Sequence, residues 1–450
     1  MATARILNGR GAKVLVSDSG TPANSEERCQ ELRNLGVDVE VGGHTDKVLQ
    51  NELIVVSPGV SVFNPLLQKA LHDGIKVIGE VELAWLLSPD PFVAVTGTNG
   101  KSTTVTLIDN MLGERSILAG NIGNPLVAEV ESAPKDGYVV AEVSSFQLET
   151  VDKFAPHVAI LTNITTDHMD RHRDMDEYIA AKARLFARQG PKDLAIFSRE
   201  DPAARRLAQL LAEGSLPAWI PEYERPACPA CPQIMFFSTQ GEVENGAWYS
   251  EGWIWYRHGG LVERLFPWDF PGLPGPHNLA NALAAVAAAR YLGVSALECE
   301  AALRAHRTLH HRLQLAGIYR GIRFIDDSKG TNPDAVIAAL NSYDAPIVLI
   351  AGGKDKGVDV RQMCQVIAKR VKRLILIGEA ADRFQKEAEA AGVRDIVRCA
   401  TLREAVNEGA QIAQSGEVVL LSPACSSFDM FKNAEQRGDL FIQYVSELGK

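Results

Sequence analysis

Along nearly the whole chain, short apolar runs alternate with stretches whose apolar positions recur every three or four residues. In the first 90 residues the runs are "KVLVSD" (13–18), "VDVEVGG" (37–43), "ELIVVSPG" (52–59) and "IKVIGE" (75–80), separated by helix-like stretches such as "EERCQELRNLG". An apolar run followed by an amphipathic stretch is the repeat of a parallel sheet crossed by helices, so a small parallel sheet is expected here. Several runs end in Asp or Ser followed by Gly, at the carboxyl ends of strands, where open α/β sheets bind ligands.

Near residue 91 "SPDP" interrupts this rhythm, and a second unit begins with the strand "FVAVTG". It contains "GYVVAEV" (137–143), "HVAILTN" (157–163), a β-rich and Pro-rich section over 215–275, and the Ala-rich helix "NLANALAAVAAARYLG". A third unit resumes the α/β alternation from about 309, with strands "IRFID", "PIVLIAGG", "RLILIG" and "EVVLLS". The predicted organisation is α/β in three domains, 1–90, 91–308 and 309–450: a Rossmann-like domain, a P-loop ATPase-like domain and a second Rossmann-like domain. No fixed period relates them, so the chain is not a solenoid.

Composition narrows the function. A chain of 450 residues with 46% hydrophobic and 23% charged residues is that of an ordinary soluble protein of about three domains. Its formal net charge of −10 argues against nucleic acid as a partner. No apolar run approaches the roughly 20 residues of a membrane span, and "MATARILNGRGAKVL" lacks the apolar core of a signal peptide. A cytoplasmic monomer acting on small molecules is expected. Seven scattered cysteines show no disulfide framework; only Cys228 and Cys231 lie close, and a stiff surface turn is preferred there over a metal site.

The most informative segment is "GTNGKST" (97–103), between an apolar strand and a helix. Backbone N–H groups of Gly97, Thr98, Asn99 and Gly100 would wrap phosphate oxygens. Lys101 would neutralise the outer phosphates, and Ser102, with Thr103 after it, would begin the helix and offer a Mg²⁺ ligand. Its two glycines are only three apart, closer than in the common phosphate loop. Glu142 ends an otherwise apolar strand, where a carboxylate is costly unless paired or metal-bound. The loop after the next strand carries Asp167, His168 and Asp170. Lys182 lies four residues after Tyr178 and three and four before Leu185 and Phe186, on the apolar stripe of its helix, with snorkelling to solvent as the alternative. Asn332-Pro333 reads as an N-cap and first helical residue.

In this order, "GTNGKST", "EVSSFQLE", "TDHMDRH", "YIAAKARLF", "GPHNLANALAA", "HHRLQ", "DDSKGTNP" and "LSPACSSFDMFKNAEQRG" resemble the Mur ligase family of peptidoglycan synthesis. The resemblance spans residues 10 to 450 and is strongest to the members that add D-glutamate to UDP-N-acetylmuramoyl-L-alanine. It implies that the γ-phosphate of ATP passes to the substrate carboxylate, giving an acyl phosphate that the amine of D-glutamate attacks. It further implies Ser102 and Glu142 for one Mg²⁺, and His168 with a CO₂-carbamylated Lys182 for a second. The ATP adenine and ribose side falls on Asn278, Asn281, Arg312 and Asp327, and D-glutamate on Lys329, Thr331, Lys356, Ser427 and Phe428. Asp18, Ser19 and Ser57 are uridine-side candidates, with Asn121 nearer the reacting end.

Two departures from the family stand out. The chain opens in what resembles the second element of the first domain, about 15 residues short of the family's strand and glycine turn, so either the start is assigned too late or the nucleotide-sugar site is incomplete and the first sheet lacks its first strand. Ala434 stands where the family usually has an aromatic residue. A folylpolyglutamate synthase-like ligase, a Mur ligase for another amino acid, and an ATP-binding switch or scaffold without catalysis are the competing readings.

Overall fold

The computed structural model describes residues 1–20, 25–169, 171–215 and 231–449. Asp170 and Cys228 lie outside the described residues. The chain forms two compact units: one comprises 1–164, 176–266 and 283–299, the other 165–175, 267–282 and 300–450.

In the first unit, the four predicted N-terminal strands are present but do not form one sheet. Leu15–Asp18 pairs in parallel with Asp38–Val41, and Leu53–Val56 with Lys76–Gly79, as two separate two-stranded sheets. Each strand is only four residues long and none is buried along its whole length, as a central strand joining the pairs would be. Helix Glu80–Leu87 ties this region to the rest of the unit. Its fully buried Glu82 accepts backbone N–H bonds from Asp152, Lys153 and Phe154 at 2.9–3.1 Å, and Glu80 accepts one from Val127 at 2.7 Å.

The centre of this unit is a nine-stranded sheet in the order 261–267, 253–258, 246–250, 233–238, 194–198, 158–161, 92–96, 138–142, 116–120. Phe92–Thr96 is buried along its whole length and is paired in parallel on both sides, which is why it reads as a continuous apolar run rather than an alternating one. Residues 233–267 of the β-rich section form the other end of this sheet, with an antiparallel hairpin, Gly246–Ser250 with Trp253–His258, inside the edge strand 261–267.

The second unit holds a six-stranded sheet in the order 314–319, 322–326, 418–421, 347–352, 371–377, 396–398. Only its first pair is antiparallel. Its central runs divide by parity: Leu349, Ala351, Leu374, Leu376 and Leu420 pack on one face, and Val348, Ile350, Ile375, Ile377 and Leu421 on the other. Each such buried Val, Leu or Ile side chain contributes about 1.5–3 kcal/mol. Strand Gln314–Tyr319 was not anticipated, because its glycine and its exposed positions mask the apolar pattern. Helix Pro333–Leu340 begins as expected, the Asn332 side chain accepting from Ala335 N–H at 2.9 Å with proline in the first turn.

Candidate active site

Strand Phe92–Thr96 delivers the chain to the phosphate loop, and helix Lys101–Leu112 leaves it. Two glycines make the turn possible. Gly97 has φ +147°, and a Cβ there would meet Thr162 Oγ1 at 1.9 Å; Gly100 sits at φ +86°, left-handed, as the helix N-cap. The neighbouring strand end shapes the loop: Thr98 N–H donates to the Asn163 carbonyl and Asn99 N–H to Asn163 Oδ1, both at 2.9 Å. Thr162 Oγ1 and Asn163 Nδ2 donate in return to the Asn99 carbonyl at 2.7 and 3.0 Å.

Lys101 folds back over this loop, its ammonium donating to the Gly97 and Thr98 carbonyls at 2.9 and 2.8 Å. Lys182, from helix Met175–Ala183, donates to the same Gly97 carbonyl at 2.9 Å. It is 1% exposed, so it does not snorkel. Its ammonium lies 4.4 Å from the centre of the Tyr178 ring, and the Tyr178 hydroxyl is 3.1 Å from Thr98 Oγ1. Two cationic side chains from different helices thus meet at one carbonyl of the phosphate loop.

Glu142 is placed by register. It pairs with Val95, one residue before the end of the phosphate-loop strand, and on its other side with Gly120. The side chain is buried; Oε1 accepts from Asn121 Nδ2 at 2.7 Å, whereas buried Oε2 has no hydrogen-bond partner among the described residues. A carboxylate oxygen left bare in this way suits a cation. Ser102 is buried in the first turn of the adjacent helix, and Thr103 follows it. The family-like segment "SSFQLE" has a local folding role: Ser144 and Gln147 form a reciprocal capping box.

The second unit carries the amino-acid-side and adenine-side candidates. Asp167 is buried, with Lys356 Nζ at 3.2 Å from Oδ1 and Asn332 Nδ2 at 3.0 Å from Oδ2, and Lys356 also reaches the Thr331 carbonyl at 3.2 Å. Burial pushes the Asp167 carboxyl up, but the Lys356 and His168 charges and the Asn332 bond together hold it below the usual carboxylate range. His168 follows at φ +57°, its Nε2 3.7 Å from Asp167 Oδ2. Lys329 pairs with Glu435 at 3.2 Å, Ser427 is buried, and Phe428 is 71% exposed.

Asn278 and Asn281 are buried on one helix, Asn281 Nδ2 donating to Asn278 Oδ1 at 3.3 Å. Arg312 acts electrostatically on both Asp327 and His277. His277 was not among the candidates. Burial, and after it Arg312, lowers its pKa to about 4, and its buried Nδ1 has no hydrogen-bond partner among the described residues. Its only signal in the sequence was its place in "GPHNLAN". Asp18, Ser19 and Ser57 lie at the ends of strands in the two separate N-terminal pairs, and Asp18 Oδ1 accepts from Gly20 N–H at 2.8 Å. Cys231 is a free thiol 3.8 Å from the Ala212 carbonyl.

One guanidinium underpins this unit. Arg437 is fully buried; Nε donates to Ser328 Oγ at 3.0 Å, and Nη2 to the Ser328 and Cys425 carbonyls at 2.8 and 3.2 Å. Burial lowers its pKa to about 10, which leaves it cationic at neutral pH. Ser328 Oγ in turn donates to the carbonyl of Ala434, so position 434 has a backbone role that an aromatic side chain is not needed for.

Asp327 gives a titration signature. Its pKa is raised from 3.8 to about 7, first by burial, against the opposing effects of the Ser422 hydroxyl, at 2.7 Å, and Arg312. The folded protein therefore holds a proton between about pH 4 and 7 that the unfolded chain releases, so this group's contribution to stability falls as pH rises through that window and is level above it. Urea midpoints measured from pH 4 to 8 should converge with those of Asp327→Asn in slope only above pH 7. A constant difference between the two proteins across the range would contradict the assignment.

A nine-stranded, mainly parallel sheet with a phosphate loop in one unit, and a second, mainly parallel sheet in the other, define an α/β nucleotide-dependent enzyme. Comparison with known proteins makes the family plain: residues 1–79 match the Mur ligase MurD-like N-terminal domain, 95–289 the Mur ligase middle domain, and 311–425 the Mur ligase glutamate ligase domain. The chain belongs to the Mur ligase family. It is 43% identical over 454 residues to the UDP-N-acetylmuramoylalanine--D-glutamate ligase of Pelotomaculum thermopropionicum, covering 100% of this chain and 96% of that one. The enzyme of the same name from Caldanaerobacter subterraneus is 39% identical over 457 residues, with the same coverage. Among solved structures, MurF from Acinetobacter baumannii aligns with TM-score 0.61 at 19% identity, over 96% of this chain and 92% of that one. MurC from Thermotoga maritima aligns with TM-score 0.58 at 18% identity, over 99% and 96%. These likenesses carry the three-domain α/β fold. No helix among the described residues is long and apolar enough to cross a membrane.

Proposed function

We propose that the protein is an ATP-dependent, ADP-forming ligase that adds D-glutamate to UDP-N-acetylmuramoyl-L-alanine in peptidoglycan precursor synthesis, in the cytoplasm. The observation that carries this reading is the meeting of Lys101 and Lys182 at the Gly97 carbonyl, with the bare Glu142 oxygen on the adjoining strand. We assign the substrate, ATP and amino-acid domains to 1–90, 91–308 and 309–450.

The loop amides of residues 97–100 hold the β- and γ-phosphates, and Lys101 exchanges its carbonyl partners for phosphate oxygens. A carboxylate oxygen of the L-alanine attacks the γ-phosphorus and ADP leaves. The resulting acyl phosphate has a good leaving group, and the D-glutamate amine displaces it to form the amide. Lys329, Thr331, Lys356, Ser427 and Phe428 bind the D-glutamate, their two ammoniums suiting its two carboxylates. Asn278, Asn281, Arg312 and Asp327, with His277, hold the adenine and ribose side.

Ser102 and Glu142 fit one Mg²⁺. For a second we assign His168 and a carbamylated Lys182, since an ammonium has no lone pair and a carbamate supplies an anionic oxygen. When bound, such ions offset the charge that develops on the transferring phosphoryl group. Carbamylation joins CO₂ to the uncharged amine with loss of a proton, and the buried position of Lys182 shields the product from bulk water.

The test is inorganic phosphate release with ATP and UDP-N-acetylmuramoyl-L-alanine, comparing D-glutamate, L-glutamate and a diamino acid. Release should require D-glutamate and be accompanied by amide product. Equal release without any amino acid, or ATP binding without turnover, would remove the ligase reading; preference for another amino acid would move it within the family.

A further inference from the structure

One cluster of titratable side chains in the second unit has no part in this chemistry. A nitrogen each of His310 and His311 and an oxygen of Asp439 lie within 4.8 Å of one another. His310 Nδ1 is 2.7 Å from His311 Nε2, and Asp439 Oδ1 is 3.6 Å from that same nitrogen.

The cluster is held from behind. His311 is buried, at φ +63°, and its Nδ1 is 2.6 Å from Oδ2 of the fully buried Asp326. Its ring rests against the backbone of Gly438, where an added Cβ would meet Nδ1 at 2.0 Å. A carboxylate on Nδ1 draws the ring proton to that side, so Nε2 presents its lone pair to His310 and Asp439. This is the support that metal-bound histidines receive from their second neighbours.

We propose that His310 Nδ1, His311 Nε2 and the Asp439 carboxylate form a site for a nitrogen-preferring divalent transition metal such as Zn²⁺ or Co²⁺, completed by water. Two imidazoles and one carboxylate suit these ions, whereas Mg²⁺ prefers an all-oxygen shell, so the site is chemically distinct from the two Mg²⁺ positions. Without metal, His310 Nδ1–H donates to His311 Nε2. Metal binding moves that ring proton to the outer His310 nitrogen and frees its Nδ1 lone pair, with no net proton release; His311 keeps its proton on Asp326. Metal–nitrogen bonds of about 2.0–2.1 Å in a tetrahedral shell set the nitrogens about 3.3 Å apart. The exposed His310 ring accommodates the change, while His311 stays seated. The ion would fasten the segment "HHRLQ" to helix Ala434–Ser446. It would also stiffen the backbone beside Lys329, whose N–H donates to the His311 carbonyl at 3.1 Å.

The test uses the full-length protein, stripped with chelator and titrated with Co²⁺ without nucleotide, following the visible absorption of low-coordinate cobalt and its displacement by Zn²⁺. One Co²⁺ per chain is expected. His310→Ala and Asp439→Asn, both at exposed positions, should each weaken binding at least about tenfold with unchanged thermal melting. Asp326→Asn, which keeps all three ligands, should weaken it by about 10- to 100-fold. Equal Co²⁺ affinity in wild type, His310→Ala and Asp439→Asn overturns the proposal. So does a thiolate-to-cobalt charge-transfer band that survives His310→Ala, which would place the ion on cysteines.

Discussion

Lys182→Ala is expected to lower turnover by about 10²- to 10³-fold, the loss typical of one charge-stabilising group in a water-excluded site, while ATP affinity changes little. Lys182 is buried, donates to the Gly97 carbonyl and lies over the Tyr178 ring, so its removal empties a defined volume beside the loop. If the working species is the carbamate, a short carboxylate such as acetate supplied in solution should restore part of the rate by filling that space with an anionic oxygen. Removing dissolved CO₂ should slow the wild type and leave the alanine variant unchanged. Full activity in Lys182→Ala would remove the side chain from the reaction, and loss without any carboxylate rescue would mean that it serves only as a cation.

Glu142→Gln should be nearly as damaging to turnover, again about 10²-fold or more, but with a different signature. The amide can still accept from Asn121 through its oxygen, so the strand end keeps its shape; what is lost is the charge on the oxygen that has no partner among the described residues. The Mg²⁺ concentration needed for half-maximal rate should rise, whereas thermal stability should hold or increase, because a buried carboxylate has been replaced by a neutral group. An unchanged Mg²⁺ dependence would remove Glu142 from metal binding.

The parts of this site that could be read in the sequence are those written in local pattern. The phosphate loop declared itself because glycines, lysine and hydroxyls fall between an apolar run and a helix. Lys182 stood out because a charge on an apolar stripe needs a reason, and Asn332-Pro333 because caps are local chemistry. What escaped notice depends on contacts far along the chain. Thr162 and Asn163 shape the phosphate loop from the next strand over, yet in sequence they are an ordinary strand end. His277 gains its low pKa from burial and from Arg312, 35 positions away. The separation of the N-terminal strands into two pairs depends on hydrogen-bond partners, which alternation cannot specify.

The buried guanidinium of Arg437 has a bearing on how such enzymes diverge. It holds the turn that carries Lys329 and the turn that carries Ser427 from a single point, through Ser328 and Cys425. Neither turn can drift alone, since a shift in one strands carbonyl acceptors in the other. Lineages that abandon the arginine would have to rebuild both segments proposed to bind the amino acid in concert, so selectivity for the incoming amine should change in jumps rather than by gradual substitution.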